Sequence, residues 1–267
     1  MRARRRWAAG VLALAAALVA SGLVPARAAA QDLTIAAAAD LQAVFPLIVS
    51  SFEQRTGRHV RTTFGSSGNF FSQIQNGAPF DLFFSADIDY PKQLEQAGLT
   101  EPGTLRPYAK GQLVLWTLKT SGIDVTNGLG VLLDPRIHHI AIANPEHAPY
   151  GRAAVAAMRA AGVYDQVASK LVLGESIAQA GQFAQTGNAD VGLLALSIAR
   201  APAVQSIGAY VDVPATLYPP IEQGAVILKR AQDKTLAAQF LASFDRPEIA
   251  AMLTQFGFIT WTGQPSR

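Results

Sequence analysis

From Leu33 onward the chain alternates short apolar runs with runs of helical periodicity, and no other feature constrains its fold as strongly. Leu33-Thr34-Ile35-Ala36-Ala37-Ala38 has the length and apolar continuity of a buried strand. Leu41, Phe45, Ile48 and Phe52 then recur at helical spacing, with Asp40 placed to cap that helix, Pro46 expected to kink it and Gly57 to end it. The strand-then-helix order returns at 59–64 and after Gly68, at 80–86 and on to Gly98, at 140–143 and from about 152 to 161, and at 170–173 and 177–185. Further strands are read at 113–118, 191–196, 208–213 and 224–229, and two helices at about 233–243 and 246–256 finish the chain. Strands that alternate with helices make mainly parallel sheets covered by those helices. Ligands in such folds bind at the carboxyl ends of the strands.

The strand-to-helix turns that carry hydrogen-bond donors fall at 38–41, 64–69, 143–151 and 174–178, two early and two in the middle of the chain. That separation suggests two lobes facing a cleft. The richest turn is Phe64-Gly65-Ser66-Ser67-Gly68-Asn69. A β-like run leads in and a helical run leads out, so the expected geometry is strand, tight turn, helix start. A helix start exposes unpaired backbone N–H groups at the positive end of the dipole. Glycines admit a ligand close to the backbone, and hydroxyls add donors without charge. Together they make an anion cradle, although serine-rich turns also occur without any ligand.

Three other positions bear on the same cleft. In Ala37-Ala38-Ala39-Asp40-Leu41 small residues permit close approach of backbone amides. Asp40 is read first as a helix cap; turned into the cleft, it would repel a dianion or accept the proton of a protonated one. Tyr150, between Pro149 and Gly151, sits at a loop-to-helix junction where a phenol either donates into a cleft or packs. Ile177 follows a capping-box pair, Ser176 and Gln179, and offers its backbone N–H.

The first 30 residues read as an export leader. Arg2, Arg4, Arg5 and Arg6 precede an apolar run from 7 to 24, then Pro25 and the small residues Ala28-Ala29-Ala30 before Gln31, with Ala26-Arg27-Ala28 a second cleavage candidate. A membrane anchor is the competing reading of the apolar run. The leader holds five arginines and no acids, so the chain beyond it carries 17 basic and 19 acidic side chains. That balance points away from nucleic acid and from a basic membrane-binding patch. The sequence has no cysteine, which removes both disulfides and a lipid-anchoring thiol. A periplasmic location follows.

Catalytic and metal readings are weaker. Gly65 to Gly68 is too short for a nucleophile elbow, and a triad of Ser67, His147 and Asp190 can be drawn only by choosing residues freely, leaving a secreted serine hydrolase as a remote alternative. The histidines at 59, 138, 139 and 147 make no paired ligand spacing, and Asp81, Asp87 and Asp89 lack a glycine-centred cation loop. Phosphate-loop and dinucleotide fingerprints are absent, and no cofactor is expected.

The segments 37–41, 64–68, 77–87 (Gly-Ala-Pro-Phe-Asp-Leu-Phe-Phe-Ser-Ala-Asp), 144–151 (Asn-Pro-Glu-His-Ala-Pro-Tyr-Gly) and 257–258, in that order, resemble the periplasmic molybdate-binding proteins of ABC transporters over essentially the whole chain beyond the leader. The resemblance implies an α/β, two-lobed type II periplasmic binding fold with the ligand in the interlobe cleft. It implies one lobe from 31–110 and 219–267, a second from 111–218, and crossovers near 108–112 and 217–220. It also implies molybdate or tungstate as ligand, an inner-membrane permease as partner, and a monomer. Ser67 is similar to the family's serine donor, with Ser66 the lesser one. The amides of Ala39 and Asp40 remain donors where the family often has Ser or Asn side chains. Ile177 stands where a valine amide binds the anion. Ala195 replaces a tyrosine carried by many members, and Tyr150 occupies the position where another subgroup has its ligand tyrosine. The same fold with phosphate or sulfate as ligand is the alternative.

Overall fold

The computed structural model describes residues 32–260, so the expected leader and its cleavage sites lie outside the described residues. The chain begins with β1 (Leu33–Ala38), a short 3-10 turn (Ala39–Leu41), α1 (Phe45–Thr56), β2 (Val60–Gly65), α2 (Ser67–Gln75), β3 (Leu82–Ser85), α3 (Asp89–Gln96) and β4 (Arg106–Gly111). After Gln112 come β5 (Leu113–Leu118), a 3-10 stretch (Val125–Leu133), β6 (Ile140–Ala143), α4 (Pro149–Ala160), α5 (Tyr164–Val167), β7 (Leu171–Gly174) and α6 (Ile177–Gln185). β8 (Val191–Ala195), α7 (Leu196–Ala199), α8 (Pro202–Ile207) and β9 (Gly208–Asp212) follow, then β10 (Ile221–Ile227), α9 (Lys234–Ala242) and α10 (Pro247–Gln255).

The strands form two five-stranded sheets, ordered β2-β1-β3-β10-β4 and β7-β6-β8-β5-β9. In each, three strands run parallel, as β1 does with β2 and β3, and β6 with β7 and β8. One strand in each runs against the other four: β10, antiparallel to both β3 and β4, and β5, antiparallel to both β8 and β9. The sheets are therefore mixed, and the cause is connectivity. β4 passes through the single residue Gln112 into β5 of the other sheet, and the chain returns through 213–220 to β10. A strand that arrives from the other lobe enters from the opposite end and so must run antiparallel to its neighbour. Tyr218 on the return path accepts a hydrogen bond from the Leu113 amide at 3.1 Å, which ties the two crossovers together.

Each lobe has its own core. Phe45, Phe84, Phe240 and Phe244 meet with ring centroids 4.8 to 6.2 Å apart, mostly edge-on or tilted, and Phe52 and Tyr108 extend the cluster. These are the offset geometries aromatic rings prefer. In the second lobe Trp116 is buried between β8 and β9. The expected kink at Pro46 does not occur. α1 starts at Phe45, so Pro46 lies in its first turn, where a missing N–H breaks no helical hydrogen bond. Gly57 closes the helix with φ of 67°, as expected of a left-handed cap.

Candidate functional site

Helix starts from both lobes meet in one small cavity, with a free volume of about 10 Å³. That is room for about one water-sized group, far below the range of about 300–1,000 Å³ typical for drug-sized ligands. The first lobe supplies the 3-10 turn at Ala39 and the start of α2 at Ser67; the second supplies the starts of α4 and α6, at Tyr150 and Ile177. The first residues of a helix have N–H groups without an intrahelical acceptor, so these ends present donors and positive potential to the same space. Ala38, Ala39 and Ala86 fill the remaining wall with small side chains, which lets the backbone come close.

The turn after β2 has the geometry its sequence implies. Ser66 is extended (φ −72°, ψ 139°) and Ser67 opens α2. The Ser67 hydroxyl accepts from the Ala86 amide at 2.9 Å. One lone pair is thus engaged while the hydroxyl proton stays available to an acceptor in the cavity. Ser66 differs: its hydroxyl donates to the carbonyl of His147 in the other lobe at 2.6 Å. The Gly68 amide donates to that same carbonyl at 2.9 Å. Since a serine has one proton to give, the Ser66 side chain spends it on the opposite lobe rather than on the cavity.

On the second lobe, Ser176 caps α6 by accepting from the Gln179 amide at 3.3 Å. The Gln179 side chain accepts from the Glu175 amide at 2.6 Å, one residue earlier than in a strict capping box. Ile177 is therefore the first helical residue, and it lines the cavity. Pro149 at the first position of α4 fixes the entry of that helix, and Tyr150 follows, 2% exposed.

Asp40 is the correction. It does not cap a helix through its side chain; it lies inside the 3-10 turn, which has no side-chain cap. The residue is fully buried, and its Oδ2 accepts from Tyr150 Oη at 3.0 Å and from Gln223 Nε2 at 2.5 Å. Its Oδ1 has no hydrogen-bond partner among the described residues. Burial raises the carboxyl from 3.8 to about 6, with the bonds from Gln223, Tyr150 and the amides of Asp40 and Leu41 opposing the rise. Burial also drives the Tyr150 phenol well above its ordinary value, reinforced by the charge of Asp40, so Tyr150 stays a donor at physiological pH.

Sequence reasoning did not find Gln223, Tyr108 or Ser197. Gln223 is fully buried and sits where the pairing of β10 with β4 slips: Gln223 pairs with Ala109 and Gly224 with Pro107, which leaves Tyr108 as the extra residue in β4. Such a bulge re-aims side chains, and here the Gln223 amide reaches across to Tyr150 of the other lobe. Tyr108 donates to Gln223 Oε1 at 2.6 Å, and Ser197 donates to the Asp40 carbonyl at 2.7 Å. Polar Glu222-Gln223 beside Gly224, at the head of an otherwise apolar strand, is the sequence signal that marked the place.

The triad drawn from Ser67, His147 and Asp190 is not assembled. Asp190 accepts from the amides of His138 and His139, each at 2.8 Å. His147 Nδ1 lies 3.0 Å from Ser66, not Ser67, and its Nε2 lies 3.3 Å from Glu175. Ala195 ends β8 in the core, and no tyrosine stands in that segment.

A family model described as bacterial extracellular solute-binding protein matches residues 33–259. The molybdate-binding protein ModA of Azotobacter vinelandii is 41% identical over 238 residues, 89% of this chain and 94% of the relative. That of Rhodobacter capsulatus is 40% identical over 248 residues, 93% of this chain and 95% of the relative. The solved structure of the Azotobacter vinelandii periplasmic molybdate-binding protein superposes with a TM-score of 0.82 at 34% identity, covering 86% of this chain and 100% of the other.

Proposed function

The chain belongs to the bacterial extracellular solute-binding family, and on that premise we propose that it captures molybdate in the cavity between its lobes and delivers it to an ABC permease in the inner membrane. It is a binding protein and not an enzyme. The observation that carries the reading is the convergence of neutral donors from both lobes on one small cavity. A tetrahedral dianion can be held by such donors alone, with helix ends supplying the field. Ser67 donates its hydroxyl proton, Ala39, Asp40 and Ile177 their amides, and Tyr150 its phenol, while Ser66 joins the lobes around the ligand. Tungstate, with the same shape and charge, binds too; sulfate is discriminated by cavity size.

Capture follows from the two-crossover topology. The lobes, 31–110 with 219–267 and 111–218, close about crossovers near 108–112 and 217–220, and the permease meets the closed form. The protein acts as a monomer in the periplasm, after removal of its leader.

Titration of the protein from residue 31 with molybdate, tungstate, sulfate and phosphate by calorimetry tests the reading. Tight binding of molybdate and tungstate only is expected. Ser67→Ala is expected to weaken molybdate binding roughly 10- to 100-fold, the loss of one hydrogen bond to a charged group. Tight phosphate binding without molybdate binding would sink the assignment.

A further inference from the structure

Asp40 is the acidic residue that lines the cavity, and its two carboxylate oxygens are unequally served. Both of its side-chain hydrogen bonds fall on Oδ2, while Oδ1 is buried and has no partner among the described residues. A dianion placed beside it would meet a second negative charge with no water between them, and like charges that close cannot both persist. Tyr150 has a single proton, which in this arrangement goes to Asp40 rather than to the cavity.

One proton resolves both conflicts. We propose that Asp40 couples capture of the oxyanion to uptake of a proton, and that this proton turns the Tyr150 hydroxyl from Asp40 to the ligand. The inference rests on the molybdate reading above. The exchange balances simply. A proton from solvent adds to Oδ2 of the carboxylate, and the new O–H donates to Tyr150 Oη, so that the phenol's own hydrogen swings into the cavity. Gln223 Nε2 remains a donor to either atom, being 2.5 Å from Oδ2 and 3.3 Å from Tyr150 Oη. Its side chain is fixed from behind, since Oε1 accepts from Tyr108. When the ligand leaves, the proton leaves with it.

The groups packed around Asp40 leave it as the titrating member. Tyr150 faces it from α4 and Tyr108 from β4, and burial raises both phenols well above their ordinary value. Gln223 faces it from β10 and Ser197 from α7, both neutral. From its own turn only the amides of Asp40 and Leu41 act on it. With a carboxyl raised to about 6, both protonation states are accessible near neutrality, so the ligand can decide between them.

The test is calorimetry of the wild-type protein from residue 31 with sodium molybdate between pH 6 and 8, in pairs of buffers with different protonation enthalpies. Molybdate itself is fully ionised throughout that range. About one proton taken up per molybdate at pH 8 is expected, with Kd weakening about 50-fold from pH 6 to pH 8 because the competent neutral form becomes scarce. Asp40→Asn, which is always neutral, is expected to take up no proton and to lose the pH dependence. The wild-type proton count decides the matter even if that variant does not fold. Flat wild-type affinity without proton uptake overturns the coupling and leaves the molybdate receptor standing. No molybdate binding by the wild type at any pH overturns both. Binding of inorganic phosphate that tightens towards pH 8 makes Asp40 an ionised acceptor for the ligand's proton, and overturns the coupling as well.

Discussion

Asp40 contributes to the pH response of the ligand-free fold as well as to its site. Its carboxyl is raised from 3.8 to about 6 by burial, so the folded protein binds that proton more tightly than the unfolded chain does. The stability this contributes is full below about pH 4 and is lost as pH rises through 6. A rise of about two pKa units corresponds to ~3 kcal/mol. Asp40→Asn carries no such penalty. Ligand-free Asp40→Asn is therefore expected to melt near the wild type at pH 4 and roughly 5 to 10 °C above it at pH 7.5, read by circular dichroism. A gap of equal size at both pH values would show that Asp40 is not the titrating group. The side chain's type and position were plain in the sequence; its partners were not. A carboxyl just before a helical run ordinarily turns back onto the backbone, and only the approach of Tyr150 and Gln223, 110 and 183 residues away, draws it elsewhere.

At the scale of elements, the site depends on where helices begin. The start of α6 can be tested without touching a hydroxyl. Ile177 occupies the first helical position, where proline is tolerated, and Ser176 before it is extended (φ −144°, ψ 168°), the conformation that a residue preceding proline adopts. Ile177→Pro is expected to fold, with some loss of stability from the missing apolar side chain, yet to bind molybdate roughly tenfold or more weakly for want of one N–H. Ile177→Val, which keeps the amide, is the control. Equal affinities in the two variants would remove that amide from the site. The helix starts were legible because their signals are local: Ser66-Ser67-Gly68, Pro149-Tyr150 and Ser176 with Gln179 each lie within one turn. β4 was not legible as a strand. Arg106-Pro107-Tyr108-Ala109-Lys110-Gly111 has neither apolar continuity nor clean alternation, and it is an edge strand, where proline is tolerated and β10 on one side supplies the pairing.

For the whole molecule the critical quantity is how closely the lobes approach. Gly68 lies at that contact. A Cβ there would stand 2.6 Å from the His147 carbonyl oxygen, a backbone atom of the opposite lobe, and 2.8 Å from Tyr90 Oη. Gly68→Ala, by contrast, suits α2 itself, since alanine favours helix over glycine by about 1 kcal/mol. The variant is expected to keep its ligand-free melting temperature, to bind molybdate roughly tenfold or more weakly, and to show no contraction by small-angle scattering when molybdate is added. Wild-type affinity and contraction in the variant would place closure elsewhere. Further contacts span the lobes near this point: the Arg152 guanidinium pairs with the Asp87 carboxylate and donates to Tyr90 Oη at 3.1 Å. Such a half-buried surface pair orients the approach more than it stabilises it.

The sequence by itself determined the alternation of strand and helix, the neutral donors at the helix starts and the family to which the chain belongs. Each of those is written within a few consecutive residues, where periodicity, caps and turn chemistry act locally. Tertiary structure decided what those donors do. It engaged Ser66 with His147 and left the Ser67 proton free, and it joined Asp40, Tyr150, Gln223 and Tyr108 into one buried network. These residues come from four separate elements and both lobes. The protonation of a buried carboxyl is set by the water removed and the donors supplied by every element packed against it, so it exists only once the chain has closed.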